Sequence, residues 1–93
     1  MTRSAVKIKV FGYVQGVGFR YSLAQLAKDL NLVGWAKNSR DGGFECLAEG
    51  QKDNLDKLVF YCHQGPPWAK VDEIQVEWLE PSNQFKEFKI IYI

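Results

Sequence analysis

Residues 13–22, YVQGVGFRYS, join a strand-like stretch to a helix-like one. Gly16 and Gly18 can adopt a positive φ angle without the steric cost that a Cβ atom brings. Backbone that alternates between right- and left-handed conformations turns successive N–H groups to one side and forms an anion-binding concavity. The segment therefore predicts a local site for a negatively charged group as well as a change of chain direction.

The residues that follow the glycines strengthen this hypothesis. A helix that begins near Arg20 or Tyr21 adds unpaired N–H groups and the positive end of its dipole. Arg20 also adds a planar fork of donors that suits phosphate oxygens. The loop lacks both the Gly-Lys-Ser/Thr of a Walker A motif and the Rossmann spacing, so no nucleotide site is predicted. The simpler alternative, a tight strand-to-helix connection in which Arg20 pairs with a surface carboxylate, stays open.

Hydrophobic periodicity divides the rest of the chain into strands and helices. Alternating or short apolar runs between turn signals predict strands, and apolar residues at helical spacing predict two helices. The turn signal Asp41-Gly42 predicts a hairpin between two of the strands. The predicted strands cover residues 5–13, 34–37, 44–49, 71–79 and 88–93, and the helical stripes are Leu23, Leu26, Ala27 and Leu30, then Leu55, Leu58, Val59 and Cys62.

The order of these elements is β-α-β-β-α-β plus one further strand, which predicts an α/β (α+β) fold. Each βαβ half is a right-handed crossover, and together they give an antiparallel sheet with both helices on one face, the ferredoxin-like sandwich. We expect the first crossover to place its two strands side by side. Residues 1–93 suit a single domain with an extra C-terminal strand. This fold hosts many unrelated functions, so the site must decide the function.

Composition excludes several classes of function. The net charge of +1 argues against general binding of nucleic acid or of a membrane surface. No apolar run is long enough to span a bilayer, and the N-terminus lacks the apolar block of a signal peptide. Cys46 and Cys62 do not have the spacing of a metal site, so we interpret them as reduced packing residues of a cytoplasmic protein. A disulfide between them stays possible at this stage.

Four motifs resemble the acylphosphatase family in order and spacing. They are GYVQGVGFR at 12–20, GWAKN at 34–38, DGGFECLAEG at 41–50 and GPPWAKV at 65–71. The resemblance implies the same ferredoxin-like fold and hydrolysis of the carboxyl–phosphate bond of acyl phosphates, without a metal, a cofactor or a covalent intermediate. Related domains also occur within larger hydrogenase-maturation proteins, but we expect a stand-alone enzyme here.

The resemblance also implies roles for individual residues. Arg20 would bind the phosphate, and Asn38 would orient the attacking water. A carboxylate is a weak base and leaves without a proton, so a general acid is dispensable, and a substrate phosphate oxygen could accept the proton of the water. Positioning and charge stabilisation would then supply most of the acceleration. The phosphate would also be bound by the main-chain amides of Gln15, Gly16, Val17, Gly18, Phe19 and Arg20.

Other polar and aromatic residues near these motifs have simpler interpretations. His63, the single histidine, falls late in the second predicted helix and suits a surface position. Lys37 and Arg40 flank Asn38 and could attract an anionic substrate, but solvated hairpin charges are the default interpretation. Tyr13 and Tyr21 border the glycine loop, where packing is favoured over a role beside the substrate.

Two other functions compete with the enzyme. A non-catalytic phosphate- or anion-binding domain could keep the same loop, and RNA-binding ferredoxin-like modules share the fold. RNA-recognition modules carry basic and aromatic residues on their central strands, a pattern that residues 5–13 and 44–49 do not supply. We therefore expect the partner to be a small acyl phosphate, with no nucleic acid and no membrane. We also expect a monomer, although the terminal strand could pair with another chain as an exposed edge.

Overall fold

The computed structural model describes residues 2–92 and contains the elements in the predicted order. Each strand begins or ends within a few residues of its predicted limits. The last strand is shorter than predicted, although the Ile91 N–H still donates to the Ala36 carbonyl at 2.8 Å, and Ile93 lies outside the described residues. The elements are β1 (Arg3–Tyr13), α1 (Phe19–Asp29), β2 (Val33–Asn38), β3 (Phe44–Gln51), α2 (Lys52–Gln64), β4 (Lys70–Leu79) and β5 (Phe88–Ile90).

The sheet has the strand order β4-β1-β3-β2-β5. β1 pairs antiparallel with β3 and β4, and β2 pairs antiparallel with β3, whereas β5 lies parallel to β2. The expectation that β1 and β2 lie side by side is wrong, because the hairpin returns β3 into the gap between them. This split βαβ arrangement is that of the ferredoxin-like sandwich, and the predicted fold class is confirmed.

One face of the sheet packs against both helices to form the core. Alternate residues of β1 and β3 point toward the helices, as the period of a strand requires. The helices contribute one apolar stripe each, so the core is continuous from sheet to helix. Its buried members include Val6, Ile8, Val10, Phe19, Leu23, Ala27, Phe44, Cys46, Ala48, Leu55, Leu58 and Cys62.

The edge strand β4 is less buried than its alternation predicts. Val76 and Trp78 are opposite Ile8 and Val6 in the register with β1, so their face is the one predicted. They are nevertheless 37% and 41% exposed, because β4 is an edge strand and no described strand lies beyond it. The Lys52 ammonium lies 4.2 Å from the centre of the Trp78 ring and covers part of it.

A buried carboxylate fastens the opposite face of the sheet. Glu49 on β3 is 1% exposed and accepts hydrogen bonds from the Ser82 N–H at 3.0 Å, the Ser82 hydroxyl at 2.7 Å and the Asn83 N–H at 2.9 Å. Burial alone would raise the pKa of Glu49, but these hydrogen bonds and the charge of Arg3 outweigh it and hold the pKa below its ordinary value of 4.5. Glu49 thereby pins the segment that connects the two edge strands.

We expect Glu49→Gln to lower the free energy of unfolding by about 1–3 kcal/mol, because an amide NH₂ would face donors that now meet a carboxylate. The lowered pKa means that this contribution is present above the unfolded-state pKa and is lost as pH falls through the folded-state pKa. Urea denaturation between pH 7 and pH 3 measures both effects. The exposed Glu77→Gln is the control, and equal stability of the two variants at pH 7 would contradict the role of Glu49.

Candidate active site

The loop between β1 and α1 has the backbone conformation that its glycines predict. Gly16 and Gly18 have φ angles of 75° and 82°, in the left-handed region where a side chain is strained. Gly18 is the N-cap of α1, whose first turn contains no acidic residue and no capping side chain. The positive end of the helix dipole is therefore not neutralised by the helix itself.

A run of backbone donors in this loop has no acceptor within the protein. In the part of the chain that the structure describes, no N–H group of residues 15–21 donates a hydrogen bond to a protein atom, and the first bond of the helix start runs from the Ser22 N–H to the Gly18 carbonyl at 3.0 Å. Backbone donors are satisfied in almost all folded proteins. These groups are consequently available to an anion or to solvent.

The side chain of Phe19 holds the start of α1 in place. Phe19 is buried, and its ring centre lies 4.6 Å from that of Phe44 and 6.2 Å from that of Tyr61. The Tyr61 hydroxyl donates to the Ser22 hydroxyl at 2.7 Å, which ties the first turn of α1 to α2. The loop donors therefore sit on a helix end that the core fixes.

Gln15 links the loop to the hairpin between β2 and β3. Its side-chain amide donates to the Ser39 carbonyl at 2.7 Å and to the Gly43 carbonyl at 2.8 Å. Only the main chain of Gln15 was assigned to the site from sequence, and this tie was not predicted. No local pattern relates residue 15 to residues 39 and 43, because the contact depends on the sheet order.

Arg20 and Asn38 lie together at the loop. Both line a hollow of about 100 Å³ that is also lined by Gly16 and Gly18. Within residues 2–92 no carboxylate lies within 4.0 Å of the Arg20 guanidinium, so the alternative in which Arg20 pairs with a surface carboxylate finds no support. The side-chain amide of Asn38 makes no hydrogen bond to the described protein either, which leaves it available to a ligand or water.

Tyr92 is a site residue that was not predicted from the sequence. Its ring centre lies 5.0 Å from the Arg20 guanidinium carbon, a cation–π distance, and it lines the same hollow. The parallel pairing of β5 with β2 brings the C-terminal segment to this end of the sheet. Tyrosine at the end of a strand carries no signal in sequence that relates it to Arg20.

The remaining candidates differ in their relation to the hollow. Tyr21 lines it and is 74% exposed, and Tyr13 is 64% exposed, so the expectation that both pack is wrong. His63 is exposed in the last turn of α2, as predicted. Lys37 pairs with Glu45 at 3.7 Å, and Arg40 lies in an adjoining hollow.

Residues 2–92 contain neither a cluster of metal-ligating side chains nor a helix that could span a membrane. Within that range, no group of three or more His, Cys, Asp or Glu side chains could hold a metal ion. None of the helices in the same range is both long and apolar enough to cross a membrane.

The fold and this loop define a class of protein, the small ferredoxin-like α/β sandwich with a glycine-rich turn before its first helix. Comparison with known families gives a match between residues 6–90 and the acylphosphatase family model. An acylphosphatase from Caldanaerobacter subterraneus subsp. tengcongensis is 40% identical over 88 residues, which cover 95% of this chain and 98% of the relative. The chain belongs to the acylphosphatase family.

Solved structures agree with this assignment. The crystal structure of acylphosphatase from Bacillus subtilis superposes with a TM-score of 0.91 at 39% identity, and the match covers 96% of this chain and 99% of that one. Full-length HypF in its phosphate- and nucleotide-bound form matches with a TM-score of 0.87 at 33% identity, over 97% of this chain but 12% of the longer protein. The same domain therefore also occurs inside a larger protein.

We expect Gln15→Ala to lower the free energy of unfolding by about 1–3 kcal/mol, because two carbonyl groups each lose one of their two donors and the loop loses its tie to the hairpin. Urea denaturation measures the change. Gln25→Ala is the matched control, since the Gln25 amide makes one exposed bond to Asp29 on the same helix. If Gln15→Ala were as stable as Gln25→Ala, the tie would not stabilise the fold.

Proposed function

We propose that the protein is an acylphosphatase, which hydrolyses the carboxyl–phosphate bond of an acyl phosphate to a carboxylate and inorganic phosphate. The observation that carries the proposal is the run of N–H groups at residues 15–21 beside Arg20, for which residues 2–92 supply neither a backbone acceptor nor a carboxylate partner. Such donors fit the oxygens of a phosphate, and family membership supplies the reaction.

Phosphate binding rests on the loop and on Arg20. The helix dipole favours negative charge at this end of α1, and the guanidinium adds two parallel charge-assisted hydrogen bonds. Contact with Tyr92 restricts the Arg20 side chain before substrate arrives, so less conformational freedom is lost on binding. The amides assigned to the phosphate are those of Gln15, Gly16, Val17, Gly18, Phe19 and Arg20.

Asn38 orients the attacking water. Its carbonyl oxygen accepts a hydrogen bond from the water, and its NH₂ group donates to a substrate oxygen. β1 and β2 both pair antiparallel with β3 and so run in the same direction. The C-terminal ends of β1 and β2 therefore lie at the same end of the sheet. This arrangement brings Asn38, the last residue of β2, beside Arg20, which follows the loop after β1.

The chemical step needs little from protein acids or bases. The water oxygen forms a bond to phosphorus as the bond from phosphorus to the acyl oxygen breaks, and the bonding electrons leave with the carboxylate. A substrate phosphate oxygen takes the proton of the water. The N–H groups and Arg20 stabilise the charge on the equatorial oxygens, so positioning and electrostatics supply the acceleration. We assign no metal and no cofactor to this step.

We further propose that residues 1–93 act as a single domain and as a monomer, because every proposed site residue comes from one chain. The net charge of +1 supports a small-molecule partner over nucleic acid.

We place the protein in the cytoplasm, because Cys46 and Cys62 are buried free thiols. Their contact and burial raise the pKa of Cys46 well above its usual 9.0.

The alternative functions are a non-catalytic anion-binding domain and an RNA-binding module. A benzoyl phosphate hydrolysis assay distinguishes an enzyme from both of these binding functions. Repeating the assay with a chelator tests whether the hydrolysis proceeds without a metal. An acylphosphatase releases benzoate and inorganic phosphate at the same rate in either case. No release above the uncatalysed rate would leave only the binding functions.

We expect Arg20→Gln to lower kcat/KM for benzoyl phosphate by roughly a hundredfold or more, the scale of losing one key electrostatic donor. Lys28→Gln, which removes a positive charge from the other end of α1, is the control and keeps its rate. Circular dichroism checks that the fold is retained. A wild-type rate in folded Arg20→Gln would show that Arg20 is not the phosphate-binding arginine.

We expect Asn38→Ala to lower kcat while binding of inorganic phosphate is largely retained, because Asn38 contacts the water and the loop contacts the phosphate. Rate measurements with benzoyl phosphate and an NMR titration with inorganic phosphate separate the two effects. Asn54→Ala, on α2, is the control. Abolished phosphate binding in Asn38→Ala would contradict this division of roles.

A further inference from the structure

Arg20 and Asn38 also line a second hollow, which adjoins the first. It has a volume of about 330 Å³, and its other lining residues are Gln15, Ser39 and Arg40. The first hollow contains the loop glycines and is much smaller. A molecule whose phosphate is held by the loop can extend across Arg20 and Asn38 into the second hollow.

The second hollow is polar and cationic. All five lining side chains are polar, two of them are arginines, and none is a carboxylate. The Gln15 amide already donates to two backbone carbonyls, and the Ser39 hydroxyl donates to Asp41 at 2.5 Å. With Arg20 assigned to the phosphate and Asn38 to the attacking water, the free side-chain donors that remain in the second hollow belong to Arg40.

Arg40 has no competing partner in the described part of the chain. It is exposed at the hairpin, and no carboxylate lies within 4.0 Å of its guanidinium. The nearby Asp41 carboxylate is held in the turn, where it accepts from Ser39 and from the Gly43 N–H at 2.9 Å. These hydrogen bonds, the one from Ser39 above all, lower the pKa of Asp41 and keep its carboxylate ionised in the turn.

We propose that Arg40 is a specificity-determining residue, which selects acyl phosphates whose acyl group ends in a carboxylate. The inference rests on the proposed function and adds the class of acyl group that the site prefers. The planar guanidinium pairs with a carboxylate in two parallel hydrogen bonds. A neutral acyl group gains nothing from Arg40, so the preference arises from the charge and not from the size of the group.

A matched pair of substrates tests this preference. The substrates are 4-carboxybenzoyl phosphate and 4-carbamoylbenzoyl phosphate, which have similar shapes and differ by one negative charge. We expect the wild-type protein to show a kcat/KM about five- to tenfold higher for the carboxylate, within the range of a typical net hydrogen bond in a protein. High salt should reduce this ratio, because the pair is exposed to solvent.

Two substitutions at Arg40 and one control variant test whether Arg40 causes the preference for the carboxylate substrate. Arg40→Gln should bring the ratio of the two kcat/KM values close to one, and Arg40→Lys should give an intermediate ratio, because lysine keeps the charge but not the planar fork. Lys37→Gln removes a charge three positions earlier from a side chain that pairs with Glu45 and does not line either hollow. It should keep the wild-type ratio.

The outcomes separate this inference from the proposed function. If the wild-type protein hydrolyses neither substrate, the proposed function is wrong and the preference falls with it. If both substrates are hydrolysed but Arg40→Gln keeps the wild-type ratio, or lowers both rates equally, the role of Arg40 is wrong and the proposed function stands.

Discussion

Burial of the Phe19 ring is the constraint on which the rest of the site depends. Phe19 is the first residue of α1, and its side chain packs between Phe44 of β3 and Tyr61 of α2. A Cβ atom on Gly65, just after α2, would lie 2.5 Å from this ring, so the neighbouring backbone also approaches closely. The helix start is thereby fixed from three sides, and the preceding residues must reach it through a short left-handed loop.

Because the helix start is fixed, some groups of this short segment serve packing while others remain free for anion binding. Phe19 points its side chain into the core, while its N–H group belongs to the unpaired donors of the loop. Gln15 divides its roles in the same way, because its side chain holds the hairpin while its N–H group also belongs to these donors. Asn38 and Arg20 can then keep their side chains free. Preorganised donors of this kind need no reorganisation when charge develops.

The sequence predicted those features that depend on local pattern. The strands, the helices, the positive φ angles of Gly16 and Gly18 and the exposed His63 all follow from spacing and residue type. Contacts between distant segments could not be predicted from sequence. The hydrogen bonds from Gln15 and the contact of Tyr92 with Arg20 depend on where β3 and β5 insert into the sheet. The exposure of β4 was not predicted, because alternation shows which side chains share a face of the strand but not whether another strand lies beside it.

The strand order has a consequence for how the chain reaches its native state. Of the five described strands, only β2 and β3 are neighbours both along the chain and in the sheet, whereas β1 pairs Arg3 with Gln51 and Ala5 with Leu79. Long loops must close before such contacts stabilise anything, which slows folding relative to a helical bundle of similar size. The cleft between the loop, the hairpin and the segment after β5 takes shape only when these distant pairings are complete, so catalytic competence should be among the last properties a refolding molecule regains.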